Sequence, residues 1–143
     1  MKNLGWLLFF IIIGLAAQFR LSAAFAEDFN VRLEMPAHCF APGDLCSLDA
    51  YIINHSGSHR FSPLVVLLDI GNGTDYWFWP SWCHYPPDFD YYMAELPDTP
   101  DEAGFDVIPQ FYWPDITGQM TGLWFWSAVL SSDLTQLASN IAS

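Results

Sequence analysis

Leu64-Val65-Val66-Leu67-Leu68-Asp69-Ile70 leads into Gly71-Asn72-Gly73 and then, past Thr74 and Asp75, into Tyr76-Trp77-Phe78-Trp79. Residues 64–70 are leucine or β-branched almost throughout, and the run is too short for a helix among such breakers. It reads as a buried central strand. Gly71 and Gly73 tolerate positive φ, so a tight turn there predicts a hairpin joining residues 64–70 to residues 76–79.

The flanks carry the same grammar. Phe29, Val31, Leu33 and Met35 alternate with Asn30, Arg32 and Glu34, the period of a half-buried strand, and Pro36 ends it. After the Pro42-Gly43-Asp44 turn, residues 46–54 are strand-like, with Leu48, Ala50 and Ile52 on one face. Residues 80–104, rich in proline and acids, read as a long connection with a short strand near 89–93. Residues 105–113 alternate again, and Pro109, lacking an N–H for the ladder, sets that strand at a sheet edge or a bulge. Residues 121–130 are the last strong strand, and residues 131–143 are polar, small and weakly helical. Roughly six short strands about ten residues apart, with no helical period, predict an all-β fold, a small immunoglobulin-like antiparallel β-sandwich. The cysteine and tryptophan spacing of antibody domains is absent, so that likeness is one of architecture.

The N-terminus differs in kind. Lys2, an apolar run over residues 4–19 and small residues at Ala24 and Ala26 form a secretory signal. The run falls short of the about 20 apolar residues wanted to span a bilayer, so residues 1–26 are expected to be removed and residues 27–143 to form one β-sandwich domain, secreted, periplasmic or at the cell surface. All 16 acidic residues lie in that domain, where only Arg32 and Arg60 remain of the four bases, so two positive charges against 16 negative give −14. Such a charge disfavours nucleic acid, and no later segment is long and apolar enough for a membrane. Export permits disulfides. Cys39 and Cys46 flank a turn and are expected to bridge, leaving Cys83 single; a Cys39–Cys83 pair or three thiols stay open as alternatives.

Met35-Pro36, Phe40-x-Pro42-Gly43-Asp44, Leu67-x-Asp69, Tyr76-Trp77-Phe78-Trp79-Pro80-Ser81-Trp82, Phe111-x-Trp113-Pro114 and Gly122-Leu123-Trp124-Phe125-Trp126 together resemble immunoglobulin-like β-sandwich modules, often near the C-termini of large secreted proteins of environmental bacteria. The resemblance spans most of residues 29–133. It implies fold and export, and brings no catalytic residues. Such modules usually continue into another strand after the position of Ser139-Asn140-Ile141, so the edge of residues 121–130 is expected to lie open to self-association or to a strand-donating partner.

Candidate sites follow from residue type. Both faces of residues 123–130 are apolar, so one is either covered by the proline-rich crossover or exposed as an aromatic platform of Trp77, Trp79, Trp82, Trp124 and Trp126 on which a sugar ring or protein partner packs. Asp69, Asn72 and Asp75 around the glycine turn are candidate calcium ligands, without the spacing of an EF-hand. His38, His55, His59 and His84 fall in expected loops. Motifs for nucleophilic, zinc-hydrolytic or nucleotide chemistry are absent, and any two of the 16 acids could be paired as acid and base, so a small hydrolase is a remote alternative with no catalytic residues to name. The expectation is a non-enzymatic, exported binding or assembly module, with a carbohydrate-binding module using the aromatic face as the alternative. N-terminal sequencing of exported material is expected to begin at Glu27; a start at Met1 would mean an uncleaved anchor.

Overall fold

In the computed structural model, which describes residues 28–99, 101–115 and 121–143, residues 64–69 form the second half of strand β3 (Arg60–Asp69). The expected signal segment, residues 1–26, and Glu27 lie outside the described residues. Residues 62–67 are buried without a break, as in a strand covered on both faces. Both edges of β3 are filled as well. One carries β6 (Tyr92–Leu96) against residues 60–64 and β4 (Tyr76–Trp79) against residues 66–69; the other carries β8 (Trp124–Val129) along residues 64–69. Leu64, paired with both Tyr92 and Val129, fixes β6 and β8 on opposite edges. β5 (Cys83–Tyr85) completes this sheet outside β4. The second sheet runs β1 (Phe29–Glu34), β2 (Leu45–Asn54), β7 (Ala103–Tyr112). Every pairing between these eight strands is antiparallel, and the described residues contain no helix, so the protein is an all-β, two-sheet sandwich.

Two apolar layers hold it. Between the sheets, Phe29, Val31, Leu48, Ala50, Ile52 and Val107 meet Leu64, Val66, Trp79, Ala94, Leu96 and Val129. On the outer side of the β3 sheet, Val65, Leu67, Tyr76, Phe78, Tyr85 and Leu130 form a second cluster, roofed by Phe89 and Tyr91 from the crossover and by Leu134 and Leu137 from the C-terminal segment. At about 1.5–3 kcal/mol for each fully buried large apolar side chain, the inner layer dominates the stability, and the outer one is what lets β3 be apolar on both faces.

The Pro-Gly turn forms as its chemistry requires. Asp44 N–H donates to the Ala41 carbonyl at 3.0 Å and Gly43 takes φ 88°, as the third residue of a type II turn must. Its backbone then joins β7's far end, Gly43 N–H to Trp113 O at 2.8 Å and Trp113 N–H to Asp44 O at 2.7 Å. This corrects the expected Cys39–Cys46 bridge: Cys46 points into the sandwich in phase with Leu48 and Ala50, Cys39 lies in the exposed loop beyond the turn, and all three cysteines are free thiols. β7 is the outer strand of its sheet, and its register with β2 shifts between Leu48↔Ile108 and Cys46↔Phe111, so Pro109 sits at both an edge and a bulge.

Residues 131–143 are not helical; they fold back along β8. Ser127 and Ala142 exchange N–H···O bonds of 2.9 Å, Ala138 N–H donates to Val129 O at 2.9 Å, and Leu130 bridges Leu137. The segment also reaches β1, where Phe29 N–H donates to Ala138 O at 3.1 Å and the Asn140 amide grips Val31. The edge expected to lie open over residues 121–130 is therefore closed over residues 127–130 by this C-terminal strap. Pro63 explains where β8 stops: its carbonyl accepts from Leu130 N–H at 2.9 Å, but it has no N–H to return.

The hairpin between β3 and β4 is as expected, yet its loop is six residues long, 70–75, because side chains organise it. Asp69 Oδ1 accepts from Gly71 N–H at 2.7 Å, and Asn72 Oδ1 accepts from the Thr74 and Asp75 N–H groups at 3.0 Å each. Gly71 is doubly constrained. It has φ 77°, and a Cβ built on it would stand 2.8 Å from the Gly122 carbonyl oxygen, backbone that no side-chain rotation can move aside. Gly71→Ala is expected to destabilise the domain by about 1–3 kcal/mol, read as a lowered urea midpoint, whereas Gly73→Ala, with φ 72° but open space around it, should cost less.

Candidate binding surface

The strap sets the relative direction of the two sheets. It is antiparallel to β8 and, at Phe29↔Ser139, parallel to β1, so β1 runs antiparallel to β8. The end of β1 at Glu34, of β2 at Leu45 and of β7 at Tyr112 therefore lies at the same end of the sandwich as Trp124, Asp69 and Tyr76. Residues 35–44, 70–75, 113–115 and 121–123 lie there, and aromatic rings crowd it.

On the β2–β7 side, Leu45 pairs across strands with Tyr112, at 73% the most exposed large apolar side chain among the described residues. Phe40 stacks on Trp113 with ring centroids 5.5 Å apart and planes at 20°, and Phe111 tilts against Trp113 at 6.0 Å. On the other sheet Trp124, 55% exposed, stacks on half-buried Trp126 at 6.3 Å and 29°. Trp124 stands directly opposite Asp69 across β8 and β3.

The five tryptophans expected to share one platform do not. Strand alternation decides this. Trp126, Leu67 and Phe78 are register partners on the outer face, so Trp77 and Trp79, one residue out of phase with Phe78, belong to the opposite face. Trp79 is buried in the inner core against Tyr92 at 5.1 Å. Trp82 packs edge-on to Phe125 beside that core, at 6.5 Å. Trp77 leans on His84 at 5.1 Å. Trp124 and Trp126 alone form a stack, and Tyr112 and Leu45, which sequence reading passed over, add to the same end. Their signal was unselective: Tyr112 sits inside the aromatic run Phe111-Tyr112-Trp113, and Leu45 is an ordinary strand residue.

The glycine-loop residues are occupied among themselves. Asp75 Oδ2 accepts from Asn72 Nδ2 at 2.6 Å and from Thr74 Oγ1 at 3.1 Å, while Oδ1 lies 2.6 Å from His84 Nε2. His84 is thus on β5 and not in a loop. Asp69, Asn72 and Asp75 point their oxygens into turn hydrogen bonds, and among the described residues no group of three histidine, cysteine or carboxylate side chains gathers as metal ligands do. Asn54, in a glycosylation sequon, is likewise spoken for: it is buried, and its Nδ2 donates to the carbonyls of Ser58, Leu96 and Pro97.

Electrostatics mark the outer face of β1–β2–β7. Glu34, Asp49 and Asp106 stand in register across the three strands, a row of like charges. Desolvation first, then Asp106 and Glu34, pushes the Asp49 carboxyl above its usual range. One row along, Arg32 lies 4.0 Å over the Tyr51 ring, makes a bidentate contact to Glu102 at 2.9 and 2.7 Å, and reaches Glu34 at 2.5 Å. Glu102's carboxyl is held low chiefly by that hydrogen bond.

The loop gives a pH test. Hydrogen bonds from His84, then Asn72 and Thr74, hold the Asp75 carboxyl below the ordinary carboxylate range. A carboxylate lowered on folding stabilises fully above its unfolded value, about pH 4, and the contribution is lost as pH falls through the lower folded value. Asp75→Asn should flatten that acid limb in a plot of urea midpoint against pH; an unchanged limb would assign the acid sensitivity elsewhere. In comparisons with known proteins, no family model matches the chain, and neither a curated protein nor a solved structure matches it.

Proposed function

We propose that the chain is an exported, non-enzymatic binding or assembly module whose contact surface is the aromatic end of the sandwich. The observation that carries this is the Trp124–Trp126 stack, with Trp124 more than half exposed on a strand whose other residues are progressively buried toward Val129. A fold that hides Trp79, Tyr76 and Phe78 has room to hide a tryptophan, and exposing one costs hydrophobic stabilisation. Clustered exposed aromatics are the usual mark of a recognition surface.

A second reading is favoured by the same stack: a carbohydrate-binding module. Two near-parallel indole planes beside the Asp69 carboxylate and the polar 70–75 loop offer an apolar ring face with hydrogen-bonding groups at its margin, the composition of sites that orient small polar ligands. Against a hydrolase, the row of Glu34, Asp49 and Asp106 runs across the outer face of the β1–β2–β7 sheet. The formal charge of −14 over residues 27–143, two bases against 16 acids, favours neutral or cationic ligands.

Titration with a panel of neutral oligosaccharides should quench tryptophan fluorescence, and Trp124→Ala should abolish the quench while shifting stability by less than about 1 kcal/mol. Trp79→Ala, a core truncation, should instead cost about 3–5 kcal/mol. Retained quenching in Trp124→Ala would remove the stack from the site. Failure of every sugar would leave protein contact as the use of this end, tested by whether Trp124→Ala and Tyr112→Ala abolish association of the intact protein.

A further inference from the structure

The strap, residues 137–142, lies in a groove walled by the outer edge of β8 and the edge of β1 that β2 leaves unused. Its attachment is specific in residues and sparse in main-chain pairing. Ala142 makes a reciprocal backbone pair with Ser127, and Ala138 makes two single ones, donating to Val129 O at 2.9 Å and accepting from Phe29 N–H at 3.1 Å. Between them side chains stand in for backbone. Ser139 Oγ accepts from Val129 N–H at 2.8 Å; Asn140 Oδ1 accepts from Val31 N–H at 2.7 Å and its Nδ2 donates to Val31 O at 2.8 Å. Ser127 Oγ is buried beside Ala142 with no hydrogen-bond partner among the described residues, and a small apolar depression lined by Val65, Leu67, Trp126, Ala128 and Ile141 adjoins it.

The hinge of the strap is residues 131–136. Ser131 N–H donates to Gln136 O at 2.9 Å, and Asp133 Oδ1 gathers Ser131 Oγ at 2.6 Å and Thr135 Oγ1 at 2.7 Å, all of them exposed bonds that water can replace. Within this tight turn Leu134 has φ 60°, the left-handed region in which a side chain crowds its own carbonyl. Straightening the hinge releases Leu134 from that conformation.

We propose that the strap is exchangeable: residues 137–142 of one copy occupy the β8–β1 groove of a second copy, reciprocally, with residues 131–136 extended between them. The occupant is set by the chain itself, since residues 137–142 already fit this groove. Exchange reproduces each groove contact, so the closed and exchanged forms differ in the relaxed backbone of Leu134, its lost packing on the outer cluster, the lost Asp133 bonds and the entropy of association, the costs being offset by concentration. The proposal rests on the assembly form of the reading above and leaves the aromatic end free.

The test uses the purified protein, held at high concentration near its urea midpoint, returned to buffer and sized by light scattering. A slowly dissociating dimer is expected. Leu134→Gly, which keeps the turn without the left-handed penalty, should lower the dimer share several-fold, and deletion of Leu134 and Thr135, which leaves the strap too short to turn back, should raise it. In dimers mixed from isotope-labelled and unlabelled copies, contacts between Ser127 and Ala142 should appear between copies. A protein that stays monomeric, a dimer share that Leu134→Gly leaves unchanged, or Ser127–Ala142 contacts confined to one copy would overturn the proposal, whether or not the deletion variant folds. A dimer that Trp124→Ala abolishes would place association at the aromatic end and overturn strap exchange.

Discussion

A strand that is apolar on both faces must be covered twice, and β3 imposes that requirement on the whole molecule. Its inner residues, Leu64 and Val66, are met by the β1–β2–β7 sheet; its outer residues, Val65 and Leu67, would otherwise face water. The outer cluster is built from whatever the chain has left over. Phe89 and Tyr91 come from a crossover made stiff by proline, and Leu134 and Leu137 from a polar tail. Neither segment has a strong intrinsic preference for structure, so their order derives from the apolar surface they cover. The long connection and the tail are thus part of the fold, and the aromatic end is what remains after both have been used.

Charge is distributed with the same economy. Arg32 is tied to Glu34 and Glu102 while lying over Tyr51, and it stands one row from the Glu34–Asp49–Asp106 line. Because these groups are substantially exposed, each pair contributes little alone. Their effect is collective: a flat acidic sheet on one side of the molecule, aromatic rings at one end, and anionic partners discouraged throughout.

The legible part of this sequence was the part governed by local period and turn chemistry. The alternation of Phe29, Val31 and Leu33, the Cys46, Leu48, Ala50 and Ile52 face, the buried run of β3, the hairpin to Tyr76, the type II turn at Pro42-Gly43 and the edge position forced by Pro109 all follow from rules spanning ten residues or fewer. What was missed depends on contacts far apart in the chain. Cys46 was read from its distance to Cys39 along the sequence, when its partner is the core. The tryptophans were read as one surface because they are abundant, when the register of β4 and β8 with β3 puts them on opposite faces. Asn140, whose amide substitutes for a backbone unit against Val31, carries no local signal; its role exists only once β1 is beside it.

That last contact has a mechanical meaning. β1 and the strap run parallel at the seam, with Phe29 near the beginning of one and Ala142 near the end of the other. Tension applied between the two ends of the folded unit therefore acts along the strands, perpendicular to the bonds that join Phe29 to Ala138 and Val31 to Asn140. Those bonds are loaded together, in shear, and do not open one by one like a zipper. A seam of few hydrogen bonds, weak against thermal opening, is in this geometry the clasp that a pulling force meets first.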